Sequence, residues 1–498
     1  LCFQRIIFKM TTILGAGISG LSAAYYALQN SKLAPIIILE ASDRVGGWVR
    51  SKVQPDGTIF EQGPRTIRPT GIQGKNTLKL MEQLELSSKI IPIRNTHPAA
   101  RNRLIYADNQ LHLLPNNLKG VFKKSTLLNR SLLSVVWNDL RSPKVSKDDE
   151  SIYSFIERRL GQDVAEKMIA PMICGICAGD AHKISVKFLM NSLFDAEQKY
   201  GSIVKGLVLQ HFSNNKNRRE KEKNELLTKD NINTKSCNAS ASLIERAKKE
   251  RWTVWGIEGG LEQLPQALAT NVTKHGVKIK LEHKCEQLRF NKDHIELIVN
   301  GETRKCSYVI SSLPAKSLAT LIQEQHPILS KELRAIPTVT VGVVNLQFSG
   351  DVLPINAFGV LVPPKEEIPI LGIIFDSCIF PQHSKTTVLT VMMGGAWFNK
   401  YFGECSSEND LLTVAVSQVR KLLHIEEDPK AFNVSILKDC IPQHIVGHMQ
   451  RLTRIQNYIS THKIPLGLCG SSYQGVGLND VILSAKQAVS DISLYNTI

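Results

Sequence analysis

The stretch TTILGAGISGLSAAYYALQNSKLAPIIILEASDRVGGWVR (Thr11–Arg50) sets two glycine clusters and an acid into one strand, helix, strand unit. Thr11–Leu14 has the apolar and β-branched character of a short buried strand. Gly15-Ala16-Gly17-Ile18-Ser19-Gly20 follows at once, and Leu21, Ala24, Tyr25 and Leu28 then recur at helical spacing. In this context Gly15 permits a tight turn, Gly17 lets a pyrophosphate approach the backbone, and Gly20 lets the helix pack on the strand. The phosphate would lie on the helix N-terminus. A second strand, Ile36–Leu39, ends in Glu40, where a carboxylate accepts from a ribose hydroxyl. Glycines alone would also make a plain α/β turn; the flanking strands and the acid together point to a dinucleotide. The continuation, Glu40-Ala41-Ser42-Asp43-Arg44-Val45-Gly46-Gly47-Trp48, adds a cation and a second close-approach turn, which suits FAD, with its bulky second half, better than NAD.

The chain of 498 residues has room for about three domains, and 43% apolar residues is ordinary for a folded protein. A net charge of +16 is open to nucleic acid, an anionic membrane surface or acidic substrates. Much of the excess, however, lies in His211–Arg251, a run rich in Lys, Arg and Asn and almost free of aromatics, which reads as a solvated loop. No nucleic acid partner is expected. Ten cysteines without regular spacing argue for a reducing compartment, and Cys174 and Cys177 lack a second pair or histidines at ligand spacing, so both read as structural thiols and no metal site is expected. No apolar window is long enough to span a bilayer; Pro337–Phe348 reads as a buried strand, and any membrane contact would be peripheral. LCFQRIIFKM reads as a targeting remnant or as read-through ahead of a natural start at Met10.

Strand-like and glycine-rich segments that would serve one flavin domain recur at the start, middle and end of the chain. Gly276–Phe290 reads as strand, Ser307–Pro314 as a return toward the nucleotide, and PLGLCGSSYQGVGLNDVILSAKQAV (Pro465–Val489) as strand, glycine turn and helix with Asn479 as N-cap. Such a helix would aim its positive end at the pyrimidine edge of a reduced flavin, although it also reads as an ordinary capped terminal helix. Asn102–Lys205 is mostly helical in pattern. Within it, Leu113–Arg141 is basic and amphipathic with one acid, Asp139, and suits either a membrane surface or a face packed on the core. The expected fold class is α/β: a discontinuous Rossmann-like FAD-binding domain (10–95, 251–314, 439–498), a helical membrane-associated and substrate-channel domain (96–210), a basic flexible insertion (211–250) and a mixed-sheet substrate-binding domain (315–438).

Glu-x-x-x-Arg-x-Gly-Gly at Glu40–Gly47 resembles the flavoprotein group that includes amine oxidases, carotenoid desaturases and protoporphyrinogen oxidases. Within that group GGWVRS and FEQGPRTIRP are similar to the eukaryotic, oxygen-dependent protoporphyrinogen oxidases. The similarity continues through HPAARNRLIY, AGDAHKISV, WGIEGGLEQLPQAL, FGVLVPP, LTVMMGGAW and SSYQGVGLNDVILSAKQAV, covering essentially the whole chain after Met10. The resemblance implies non-covalent FAD held by Gly15, Ala16, Gly17, Ile18, Ser19, Gly20, Glu40, Ala41, Trp48, Gly63, Pro64, Arg65, Thr66, the Lys284 backbone, Ser471, Val476, Gly477 and Leu478, with Arg44 as a further phosphate or flavin contact. It implies protoporphyrinogen IX as substrate, Arg103 pairing with a propionate, Phe358 and Leu361 sandwiching the macrocycle, Gly359 giving backbone access and Met392 lining the cleft.

The implied chemistry is hydride removal to the flavin, with molecular oxygen as final acceptor and hydrogen peroxide released, in haem biosynthesis. No catalytic side chain is expected, because the flavin carries the reaction. The resemblance also implies a place on the mitochondrial inner membrane, facing the intermembrane space, and a homodimer as one assembly open to the chain. One departure stands out: the family's Arg-Gly-x-Phe-Ala-Gly-Asp is here Cys174-Gly175-Ile176-Cys177-Ala178-Gly179-Asp180, without the cation and the aromatic. Two other readings stay open. An amine oxidase or carotenoid desaturase would use the same scaffold, but an amine oxidase should show an aromatic pair at the flavin, and Tyr473 has no obvious partner. A catalytically silent tetrapyrrole-binding protein would account for the altered motif but not for two intact glycine turns.

Overall fold

The computed structural model describes residues 10–114, 127–128, 131–212, 242–403 and 407–494. Among these, five short strands drawn from distant parts of the chain pair in the order Leu466–Leu468, Tyr308–Ser311, Thr11–Leu14, Ile36–Leu39, Lys278–Lys280. All of them run parallel. A parallel sheet covered on both faces needs near-continuous apolar strands, and TTIL and IIIL supply them. Helix Ile18–Ala27 is buried at every position but Tyr25, and its Gly, Ser and Ala residues let it lie close to the C-terminal helix Leu478–Leu494. Ile13, Leu21, Ala24, Leu268, Val481 and Ala485 share that core, so segments from the start, middle and end of the chain converge on it.

A second sheet is mixed. Its order is Ala431–Pro442, Thr338–Gln347, Val388–Gly395, Ile370–Phe375, Gly359–Leu361, Leu104–Ala107, Gln110–Leu113, with the Gly359–Leu361 to Leu104–Ala107 pairing parallel. Three of these strands depart from the boundaries expected from sequence. The hairpin Leu104–Leu113 belongs to this sheet and not to the helical layer, because Asp108 and Asn109 take positive φ (52° and 59°) and make the two-residue turn that antiparallel strands favour. Strand Ala431–Pro442 likewise runs beyond residue 438 along Thr338–Gln347. Helix Glu408–Leu423 opens with a Ser407/Asp410 capping box and places Leu411, Ala415 and Val419 on the sheet core.

The helical layer, including Leu132–Arg141, Ile152–Leu160, Ala170–Cys177 and Asn191–Tyr200, packs around Phe155, Ile156, Ile173 and Phe194. Asp139 points inward. It pairs with the fully buried Arg159 and accepts from Ser202 Oγ at 2.6 Å and Val204 N–H at 2.9 Å, so both charges are satisfied. Among the described residues no helix is long and apolar enough to cross a membrane. The segment before Met10, most of the expected basic insertion (213–241) and part of the basic amphipathic stretch (115–126, 129–130) lie outside the described residues.

Candidate functional site

The first strand ends in Gly15 at φ +93°, and Gly17 starts the helix at φ −68°, ψ 175°. The three glycines of this turn serve different ends. A Cβ on Gly20 would collide with the Gly15 carbonyl oxygen, and one on Gly15 would meet Ser312 Oγ at 2.6 Å. A Cβ on Gly17 has only Gly47 Cα near it, at 3.8 Å. Gly17 faces the second glycine turn: it bridges to Gly46, whose N–H donates to Ala16 O at 2.9 Å, and a Cβ on Gly47 would meet Gly17 Cα at 3.1 Å. Two backbone turns thus meet at a helix N-terminus with no side chain between them, the shape and polarity a pyrophosphate needs.

Glu40 braces both turns. Its carboxylate accepts from Ala16 N–H at 2.7 Å and from Ser42 N–H and Oγ at 2.9 and 2.8 Å. Arg44 donates to Val45 O at 3.1 Å and Gly47 O at 2.7 Å, so it holds the second turn, and a phosphate or flavin contact would use its remaining donors. Ala41 and Trp48 are exposed beside it. Lys284 follows His283, whose N–H donates to Glu40 O at 2.8 Å; the Lys284 N–H itself donates to Asn300 Oδ1 at 3.2 Å.

The remaining expected flavin residues join this cradle. A Cβ on Gly63 would collide with the Trp48 carbonyl oxygen, which sets the Gly63–Thr66 turn against the second glycine turn. Gly470, at φ +112°, lies over the first turn: a Cβ there would meet Ser312 O at 3.4 Å and Ser19 Oγ at 3.6 Å. The final helix starts at Leu478, so Asn479 is its second residue and not its cap. Gly475 (φ +152°) and Gly477 turn the chain into the helix, and Asp480 in the first turn bonds Gly477; burial raises the Asp480 carboxyl and that bond opposes the rise. Asn479 Nδ2 instead donates to Arg68 O at 2.8 Å, tying the helix start, with Val476, Gly477 and Leu478, to the Gly63–Thr66 segment. Asn479 Oδ1 is buried without a partner among the described residues, and the buried Ser19 hydroxyl has only the Cys469 thiol beside it. Two helix N-termini, a side-chain-free cradle, an acid at the second strand end and an unpaired amide oxygen in the first turn of the final helix fit FAD.

On the mixed sheet, Arg103 precedes strand Leu104–Ala107 and is exposed, its guanidinium carbon 4.6 Å over the Phe358 ring. Partial burial, and then the charge of Arg68, lower its pKa. Gly359 at φ +152° owes its identity to the neighbouring strand, since a Cβ would collide with the Ile373 carbonyl oxygen. A Cβ on Gly175 would meet Leu361 Cδ2 at 2.8 Å, so the helical layer closes directly on Leu361. Phe358 packs with Ile93, Val254 and Phe380, Leu361 with Ile105 and Met168, and Met392 with Val341 and Leu371. The structure brings Arg103 and Phe358 into contact and spreads Leu361 and Met392 over adjoining clusters.

Cys174 and Cys177 are buried at 3% and 4% exposure, with their thiols near Gly179 O and Ile173 O. Burial pushes the Cys177 thiol up to about 11 and Cys174 higher still, so both are packing groups. Cys174 also borders a shallow recess with Leu371, Trp397 and Tyr401. Tyr473 is buried with Leu14, Val309 and Leu466, its hydroxyl enclosed, and cannot serve as an amine-facing aromatic.

Motif reasoning missed the junction between the sheets. Arg65, 5% exposed, donates to Asp376 Oδ1 at 3.0 Å and Gly63 O at 3.3 Å and lies 4.0 Å from Met392 Sδ. Thr390 Oγ1 donates to Asp376 at 2.7 Å, and Asn345 Nδ2 to Thr390 Oγ1 at 2.8 Å and Glu61 O at 3.0 Å. The Glu61 carboxyl accepts from Ser51 Oγ and Leu261 N–H, both at 2.7 Å; burial pushes its pKa up to about 7 against those bonds and the Arg65 charge. An acid closing the apolar run ILGIIF was the available signal for Asp376, but no spacing connects position 65 to 376.

Residues 18–493 match the family described as flavin containing amine oxidoreductase. The protoporphyrinogen oxidase of Homo sapiens is 35% identical over 490 residues, covering 97% of this chain and 98% of the human protein. That of Schizosaccharomyces pombe is 31% identical, covering 97% and 99%. A crystal structure of a putative protoporphyrinogen oxidase from Exiguobacterium shares the fold, with a TM-score of 0.78 at 24% identity, covering 98% of this chain and 99% of that one. The chain belongs to the flavin containing amine oxidoreductase family and groups there with the protoporphyrinogen oxidases.

Proposed function

We propose, from that membership, that the chain oxidises protoporphyrinogen IX to protoporphyrin IX in haem biosynthesis, using non-covalent FAD and molecular oxygen and releasing hydrogen peroxide. The observation that supports the reading is Arg65, a member of the Gly63–Thr66 turn expected to hold flavin: it donates to Gly63 O and to Asp376 Oδ1 and lies 4.0 Å from Met392 Sδ, so that turn is tied to the sheet that carries the expected substrate residues. Bound FAD would accept a hydride equivalent from a saturated bridge carbon in each of three rounds. The chain's own residues bind and orient. Gly15–Gly20, Gly46 and Gly47 hold pyrophosphate. Glu40, Ala41 and the Lys284 backbone hold the adenosine side, while Trp48, Gly63–Thr66, Ser471 and Val476–Leu478 hold the flavin ring. Arg103 pairs a propionate, Phe358 and Leu361 wall the macrocycle with Gly359 between them, and Met392 closes the cleft against water.

The same reading includes a peripheral place on the mitochondrial inner membrane, facing the intermembrane space, and a homodimer. Leu133, Trp137 and Leu140 lie exposed on one face of helix Leu132–Arg141, and Arg141 covers the Trp137 ring at 4.5 Å. Leu207, Val208, Leu209 and Phe212 are exposed as well. The test is to purify the chain in mild detergent, record its visible spectrum, and follow porphyrin fluorescence and peroxide after adding protoporphyrinogen IX under air. A flavin spectrum with fluorescence above the spontaneous rate supports the reading. Flavin without fluorescence gain redirects it to an amine or carotenoid substrate, and absence of flavin to a silent protein.

A further inference from the structure

The segment Gln443–His448, between strand Ala431–Pro442 and helix His448–Thr461, carries none of the residues assigned above, yet it bridges two parts of the molecule. On one side it is fastened to the helical layer. Ser185 N–H donates to His444 O at 2.9 Å, Val446 N–H to Lys183 O at 3.0 Å, Gln443 Nε2 to Cys177 O at 2.9 Å and Gly447 N–H to Asp149 Oδ2 at 3.1 Å. The motif AGDAHKIS, which the flavin and substrate assignments leave unused, supplies much of this contact.

On the other side its two histidines reach the glycine loop that precedes the final helix. His444 Nε2 lies 3.0 Å from Ser471 O, and His448 Nε2 lies 3.0 Å from Tyr473 O. A carbonyl only accepts, so Nε2 carries the proton in both rings. The rings are 5% and 0% exposed, sit 4.4 Å apart, and are walled by Phe188 of the helical layer at 4.1 and 5.0 Å. Burial holds both neutral, with pKa pushed down to about 3 for His444 and about 4 for His448. Other polar groups of the loop are pinned separately: Gly470 N–H donates to Ser484 Oγ at 3.1 Å, and Ser472 Oγ accepts from Ala315 N–H at 3.0 Å.

We propose that His444 and His448 are positioning residues that lock the 470–477 loop in its flavin-holding conformation, and that the helical layer sets their rings through Phe188 and Asp149. The inference rests on the flavin reading. Losing either N–H would leave a loop carbonyl without its donor, and the loop would relax away from the place where Ser471 and Val476–Leu478 meet the flavin.

The experiment titrates FAD into the flavin-free full-length chain, wild type first; if wild type binds no FAD, the flavin reading itself fails. His444→Gln and His448→Gln keep an N–H at the reach of Nε2, whereas His444→Asn and His448→Asn fall short of it. The Gln variants should bind FAD within about threefold of wild type and the Asn variants about tenfold or more weaker, with a blurred flavin absorption band. Melting of the flavin-free chains separates this from general loss of fold, because a purely structural role would lower melting in the Asn variants without moving the FAD Kd. Wild-type FAD affinity in both Asn variants, or equal weakening in Gln and Asn, overturns the proposal. Should the Asn variants not fold, Phe188→Leu, which leaves both donors and removes the ring wall, should weaken FAD severalfold, and wild-type affinity there overturns it too.

Discussion

Replacing Gly17 by Val separates the flavin from the fold. At φ −68° and ψ 175° the position is in ordinary extended backbone that valine adopts readily, and a Cβ there has only Gly47 Cα near it, at 3.8 Å. The flavin-free chain should therefore lose only the preference for glycine at a helix N-cap, about 1 kcal/mol, or about 1 °C in a chain of this size. The bound state loses far more, because the valine branches occupy the cradle where phosphate oxygens would reach the helix N–H groups. Two charge-assisted hydrogen bonds at about 1.5–3 kcal/mol each correspond to roughly two to four orders of magnitude in FAD Kd. The assay pairs FAD titration of the flavin-free variant with its thermal melt, and Gly20→Ala serves as contrast, since its Cβ strikes the Gly15 carbonyl oxygen and should damage the fold itself. Wild-type FAD affinity in Gly17→Val refutes the phosphate assignment. A flavin-free melt as depressed as that of Gly20→Ala refutes the argument from open space.

Glu61, with its carboxyl raised from 4.5 to about 7, keeps a proton in the folded state that the unfolded chain releases, so stability should fall as pH rises through that window, by about 3 kcal/mol in all, and level off above it. Glu61→Gln should flatten the melting temperature across the same window, and an unchanged slope counts against the assignment. Asp376→Ala leaves the Arg65 guanidinium buried without its partner and should cost about 3–5 kcal/mol, read as a lower melting temperature that Arg65→Met partly restores in the double variant. Arg103→Ala should raise KM for protoporphyrinogen about tenfold with the flavin spectrum intact, and an unchanged KM removes Arg103 from the substrate site.

The glycine turns proposed to hold the flavin were legible in the sequence because their demands are largely local. Gly15, Gly46 and Gly47 answer a positive-φ requirement and Gly20 a close approach to Gly15 O, and the apolar strands on either side fix where those turns point. The return segments Tyr308–Ser311 and Leu466–Leu468 were legible for the same reason. Asn479 misled because Asn before an amphipathic run is an ordinary cap signal, whereas Gly475 and Gly477 already turn the chain and leave its side chain to reach Arg68 O. The hairpin Leu104–Leu113 was drawn into the helical layer by its surroundings, its Asp-Asn turn being a short signal between longer helical patterns. The roles of Asp376, His444 and His448 were illegible on physical grounds: each acts on a partner brought near only by tertiary folding, so no spacing links it to that partner, although Asp376 is marked as an acid closing an apolar strand.

The junction at Arg65 shows why such residues sit where they do. Burying an ion pair costs several kcal/mol per charge in desolvation, and an apolar contact of equal volume would hold two sheets together at least as well. Arg65 and Asp376, at 5% and 13% side-chain exposure, therefore make little sense as glue. They make sense as registration. Arg65 must meet Asp376 Oδ1 and the Gly63 carbonyl with one planar group, and Asp376 must in turn accept from Thr390 on a different strand. The Gly63 bond orients the guanidinium on its turn, the Thr390 bond orients the carboxylate on the mixed-sheet side, and the Arg65–Asp376 bond then sets the two against each other, whereas apolar side chains would tolerate sliding. A hydride transfer is sensitive to displacements of that size, so positional constraint is the return that justifies the desolvation.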